Sequence, residues 1–99
     1  MMYRNRLLLD SIRHLPCCWP VTHRCWGAVE AAHSNQLRDG KGKGIKAHDY
    51  RVAAICHGQH AELDQGKTLT KIERFDLWEE AHRRTIGLLF EKGIVKVVG

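Results

Sequence analysis

The run VAAICHGQHAELDQG, Val52 to Gly66, changes character in its middle. Its first half, together with Tyr50 and Arg51, is apolar and partly β-branched, which suits a short strand over 50–55. From Cys56 to Asp64 the composition suits one or two helical turns, closed by Gln65-Gly66. A thiol therefore stands where a strand passes into a helix, and His60 follows four residues later. Positions i and i+4 share a helix face, so Cys56 and His60 are expected to point inward together.

Upstream lies CCWPVTHRCWG, residues 17–27, with Pro20 inside and Gly27 at its end. It reads as a tight turn or knuckle. Seven residues, Pro20 among them, separate Cys17 from Cys25. A chain of 99 residues buries little apolar surface, and domains of this size often add a metal or disulfides. In a reducing compartment, metal ligation is the favoured use of cysteines. Zinc takes four tetrahedral thiolate or imidazole ligands, and a knuckle plus a helix start supplies them. The four cysteines are Cys17, Cys18, Cys25 and Cys56, with seven histidines besides. Of the adjacent Cys17 and Cys18, one is expected to pack rather than ligate. The plainer alternative is a reduced, buried thiol cluster without metal.

Between knuckle and strand come two further features. Residues 28–34 (AVEAAHS) read as a short strand leading to His33. An imidazole can take a proton from water near neutral pH, which makes His33 a candidate base beside a bound ion. Residues 38–48 (RDGKGKGIKAH) alternate glycine with lysine and read as a mobile basic loop. Glycine amides and the charges of Lys41, Lys43 and Lys46 suit phosphate, although nothing matches a P-loop.

The outer segments frame this centre. Residues 1–16 read as a lead-in, with a helix carrying Leu7, Leu8, Ile12 and Leu15 and stopped by Pro16. Residues 17–99 form the domain proper. A long helix is expected over about 71–90, opened by a Thr70/Glu73 capping box. Ile72, Phe75, Trp78, His82, Ile86 and Leu89 give it one apolar stripe. Ile94 to Val98 reads as a short closing strand. Trp19, Trp26 and Tyr50 are scattered, so no interleaved stacking platform is evident.

Charge and composition narrow the function. The formal net charge is +5, and residues 1–60 hold nine basic against four acidic side chains, while 61–99 balance. A one-sided positive field suits a polyanion such as DNA. No apolar run approaches the ~18 residues of a membrane span, so no membrane partner is expected. The start lacks the apolar stretch and cleavage site of a signal peptide, so a cytoplasmic setting is expected.

The segments CCWPVTHRC, AAHSN, GKGKGIKAHD and VAAICHGQHAELDQG, with the helix after Thr70, together resemble the YbcO-type family of small prophage nucleases. More distantly they are similar to HNH, or ββα-metal, endonucleases on a zinc-bearing treble clef. The resemblance covers about residues 17–90. It implies an α+β fold: a small zinc-stabilised treble-clef, HNH-like domain with a long C-terminal helix. It makes Cys17, Cys25 and Cys56 structural zinc ligands and His33 the base that deprotonates water. Asp49 takes the place of the Asn that orients that histidine. His60 matches the ligand of a catalytic Mg2+ or Mn2+, and Lys41, Lys43 and Lys46 would bind DNA. Two positions depart from the family. Gln59 stands where a fourth cysteine is usual, leaving Cys18, His57 or His60 as fourth zinc ligand. Ala32 stands where many members place an acid or histidine, a role left to Glu30, Ser34 or Asn35.

The expected function is metal-dependent hydrolysis of DNA phosphodiester bonds, in phage or prophage recombination or processing. The alternative is a non-catalytic zinc knuckle that binds nucleic acid or protein.

Overall fold

The small and branched side chains of Val52–Cys56 form a strand, and its partner is the run Val29–His33; we call these β2 and β1. The computed structural model describes residues 2–98. The strands pair antiparallel, with Val29 opposite Cys56, Ala31 opposite Ala54 and His33 opposite Val52. All five residues of β2 are buried.

A two-stranded hairpin is marginal alone, and the outward backbone groups of β2 need partners. They find them in other elements. Cys18 N–H donates to Ala54 O (2.7 Å). Ala54 N–H donates to Thr85 Oγ1 (2.9 Å). His82 Nδ1–H donates to Val52 O (2.7 Å), and Cys56 N–H donates to Cys17 Sγ (3.3 Å). The knuckle and the last helix thus seal the outer edge of β2.

Three helices surround the hairpin: α1 (Arg6–Ile12), α2 (His57–Gln65) and α3 (Lys71–Glu91). Helix α3 opens with the capping box read from the sequence: Thr70 Oγ1 accepts from Glu73 N–H (3.1 Å), and Glu73 Oε1 accepts from Thr70 N–H (2.8 Å). Its buried face is Trp78, Ala81, Thr85 and Leu89. The buried stripe therefore starts nearly two turns later than the sequence pattern suggests, and Ile72 is 73% exposed. Length explains this: 21 residues of helix run about 32 Å, and five of strand about 17 Å. The first turns of α3 overrun the strand that buries the rest.

Two expectations are corrected. Ile94 to Val98 forms no strand among the described residues. Ile94 and Val95 instead turn their N–H groups back to Leu89 O. The basic loop is not free chain either. Gly42 and Ile45 bond each other in both directions (3.1 and 3.0 Å), closing a tight turn over Lys43 and Gly44, whose φ is 70°. Arg4 then holds the carbonyls of Lys46 (2.8 Å) and Ala47 (2.6 Å).

The first residues are drawn to the same place. Asp49 N–H donates to Tyr3 O (3.0 Å), and Asn5 caps α1 by accepting from Leu8 N–H (3.0 Å). That cap starts α1 at Arg6 and ends the extended lead-in. Ile12 and Leu15 enter the core with Trp19, Ile55, Leu63 and Trp78.

Candidate metal centre and histidine groove

The knuckle brings three thiols and one imidazole together. The ligand atoms of Cys17, His23, Cys25 and Cys56 all lie within 4.8 Å of one another. His23 Nε2 stands 3.5, 3.1 and 3.7 Å from the sulfurs of Cys17, Cys25 and Cys56. Tetrahedral zinc, with its ordinary bond lengths, would set sulfur and nitrogen ~3.6 Å apart. The donor set and its spacing fit such an ion. His23 Nδ1–H donates to Val21 O (2.7 Å), which fixes the tautomer and leaves Nε2 free to ligate.

Backbone groups support the sulfurs. Burial pushes the Cys56 thiol up, but hydrogen bonds from the backbone of Gln59 and Trp26 outweigh it, and the thiol is lowered to about 7. Gly27 (φ 76°) turns the knuckle into β1. Gly58 carries no Cβ because the Trp26 indole lies where one would stand.

The fourth member of the group is therefore His23, a residue the sequence pattern did not single out. None of Cys18, His57 and His60 belongs to the group. Cys18 is buried and turns its thiol to Pro16 O (3.4 Å). His57 donates from Nδ1 to Glu30 Oε2 (2.9 Å). Cys56 and His60 do not share a helix face, because Cys56 is the extended N-cap of α2 (φ −63°, ψ 155°). Its side chain goes to the knuckle, and His60 goes to β1.

The other end of the hairpin carries His33. Its Nε2–H donates to Asp49 Oδ1 (2.8 Å). Asp49 is 2% exposed and also accepts from Asn5 N–H (2.7 Å) and Arg4 (3.3 Å). Burial works against its charge, yet His33, the Asn5 amide and Arg4 hold its carboxyl below the usual range. A fixed carboxylate on Nε2–H leaves Nδ1 of His33 as the ring's acceptor.

His33 and His60 line one groove of about 250 Å3, together with Lys41, Lys46, Asn35 and Asp64. Lys43 is exposed at the tip of the turn and does not line it. His60 Nδ1–H donates to Glu30 Oε1 (2.8 Å), so its Nε2 lone pair faces Asp64 Oδ2 at 3.4 Å. Two acceptors face to face are completed by a proton or a cation between them. Two ligands of one octahedral ion stand about 3 Å apart, close to this separation. Asp64, four residues after His60, was also passed over; its i, i+4 spacing was the available signal. Of the substitutes for Ala32, Glu30 and Asn35 reach this corner. Asn35 Nδ2 donates to Asp64 Oδ1 (3.3 Å), whereas buried Ser34 donates to Asp39 instead (2.5 Å).

Among the described residues the fold is a small α+β arrangement of one two-stranded sheet and three α-helices, with a Cys3His group close enough to hold a metal ion. No family model, curated protein or solved structure matches the chain. Among the described residues no helix is long and apolar enough to cross a membrane.

Proposed function

We propose that the chain is a metal-dependent endonuclease of the HNH kind, hydrolysing DNA phosphodiester bonds on a treble-clef scaffold held by structural zinc. The observation that carries this reading is the shared groove. A histidine tied to a buried carboxylate, a second histidine with an acid beside it, and two lysines open onto one concavity.

Each residue then has a task. Lys41 and Lys46 hold the phosphates that flank the cleaved bond, which gives affinity without sequence choice. Asp49 keeps the His33 ring in the orientation that presents Nδ1. His33 takes the proton from a water at Nδ1 as that water's oxygen bonds to phosphorus. The P–O bond opposite breaks, and the departing oxygen gains a proton from solvent. A Mg2+ or Mn2+ held by His60 and Asp64 would stabilise charge on that oxygen. Glu30 fixes His60 from behind through Nδ1 and is itself held in its charged form, first by His57, against the effect of burial.

The test is incubation of zinc-loaded protein with supercoiled plasmid and Mg2+ or Mn2+. The wild-type chain should nick it, and His33→Ala should not. Equal nicking by that variant removes His33 from its role. Intact plasmid with the wild type reduces the groove to a docking surface.

A further inference from the structure

Next to the histidine groove lies a second cavity, of about 280 Å3, between α2 and the first turns of α3. The two share Asn35 and Asp64 in their linings, so they adjoin at that hydrogen-bonded pair. Leu63, Phe75 and Trp78 wall the second cavity, and Lys71 and Arg74 stand among its lining residues. The overrun of α3 beyond β2 is what opens it. Trp78 has spent its only donor on Ala32 O (3.0 Å), so it offers the cavity apolar surface alone.

Asn35 and Gln36 are already bonded, to Asp64 and Glu79, whereas the two cations are not fully paired. Arg74 Nη2 donates to Gly66 O (2.6 Å), but its buried Nε–H has no partner among the described residues. Lys71 forms no ion pair among the described residues, and its ammonium lies 5.7 Å from the centroid of the Phe75 ring. A buried donor without an acceptor is costly, so an occupant with ring nitrogens or carbonyls is favoured over a plain hydrocarbon. The volume is below that of ordinary drug-sized sites and suits one planar ring system. A planar, acceptor-bearing group joined to a phosphate in the neighbouring groove is a nucleotide.

We propose that this cavity is a nucleobase subsite, taking one unstacked base of the strand whose backbone lies in the His33 groove. The inference rests on the reading of that groove as a phosphate site and deepens it: the preferred substrate is single-stranded or locally unpaired DNA. Bases taken out of a duplex are held in this way, between aromatic and apolar side chains with polar groups at the edge. Phe75 supplies the ring and Arg74 the edge donor.

The experiment measures binding by fluorescence anisotropy with zinc-loaded His33→Ala protein, which keeps the probes uncut. The probes are a labelled ten-nucleotide single strand, a fully abasic strand of equal charge, and the matching duplex. The single strand should bind about tenfold more tightly than the abasic strand, the range expected for one stacked base. It should also bind more tightly than the duplex. Adding Phe75→Leu keeps an apolar wall, removes the ring and should erase the preference over the abasic strand. A strand carrying 5-iodouracil, irradiated with the otherwise unaltered chain, should crosslink to Phe75 or Trp78, which covers the case where the double variant fails to fold. Equal affinity for the normal and abasic strands overturns the subsite, as does a crosslink elsewhere. Competition by free nucleoside monophosphate as strong as that of the strand also overturns it. Plasmid nicking is read separately. Nicking without base preference sinks the subsite alone, and base preference without nicking sinks only the hydrolysis.

Discussion

At one end of the hairpin Cys56 meets Cys17, His23 and Cys25; at the other, His33 meets Asp49 above a groove shared with His60 and Asp64. Only the five-residue length of the strands separates them. The thiol end gathers three sulfurs and one imidazole nitrogen, with backbone N–H support at the Cys17 and Cys56 sulfurs, and it forms one closed group. The imidazole end uses nitrogen and carboxylate donors, leaves acceptors facing one another, and opens toward lysines. Closed soft sites hold folds together, whereas open hard sites accommodate an exchangeable ion and its substrate. The contrast is what the proposed division of labour, a structural centre at one end and a reactive one at the other, rests on.

The sharpest way to break that contrast is to remove the ion from the thiol end. Structural zinc contributes about 10 kcal/mol or more to small domains, comparable to a whole domain's stability. Chelation, or Cys17→Ser, should therefore abolish the cooperative melt followed by circular dichroism. His23→Ala should lower zinc content measured by a chromogenic chelator, while His60→Ala should leave one zinc per chain. Zinc retained by Cys17→Ser with an unchanged melt would dissolve the distinction.

At the imidazole end the same logic predicts loss of activity with the fold preserved. His33→Ala should reduce nicking by about 10²-fold or more, with a melt close to that of the wild type. If it melts as badly as Cys17→Ser, His33 is holding the fold and the two ends are alike.

The middle of β2 serves both ends and gives a smaller effect. Thr85 is fully buried, accepts from Ala54 N–H (2.9 Å) and donates to Ala81 O (2.8 Å). Thr85→Val strands that amide and should cost about 1–3 kcal/mol in urea unfolding. Zinc retention and nicking should fall together, since neither end is favoured.

The smallest effect is a response to pH. Burial lowers the His82 pKa, and Arg51 nearby adds to this against the pull of Glu79, Asp39 and the Val52 carbonyl. An unfolded imidazole titrates near pH 6.5. As pH falls below that value the unfolded chain binds the proton first, so stability should decline there and His82→Gln should flatten the decline. Asp39, Asp49 and Glu79 have lowered pKa values despite burial, through Arg51, His33 and their neighbours. Their stabilisation is complete above the unfolded carboxyl range and should be lost only below about pH 4. Two separate steps in a pH titration of stability would distinguish the histidine from the carboxylates.

What the sequence revealed was mostly local. The capping box at Thr70 and Glu73 and the turn at Gly27 depend on near neighbours and appear where the pattern puts them. The strand expected over 50–55 runs instead from Val52 to Cys56, because Arg51 N–H turns back to His48 O. The misses depend on distance. His23 joins the thiols with Nε2 because its Nδ1–H is held by Val21 O, a detail of turn geometry that composition does not carry. The cap of the first helix and the anchor of Asp49 both fall on Asn5, which lies 44 residues from Asp49. Ile94 to Val98 has strand-favouring side chains, yet the edge of β2 was already taken. Asp64 was visible as a spacing but needed Glu30 to turn His60 toward it. The pairing of His33 with Asp49 was anticipated only through family resemblance.

That sealed edge reaches beyond the monomer. Bare strand margins invite neighbouring chains to add themselves laterally, the usual route to fibrillar aggregates. Here Cys18, Thr85, His82 and Cys17 already occupy the outward groups along β2. Lateral growth on that side is blocked, and any self-association would have to go through helical faces or the outer margin of β1.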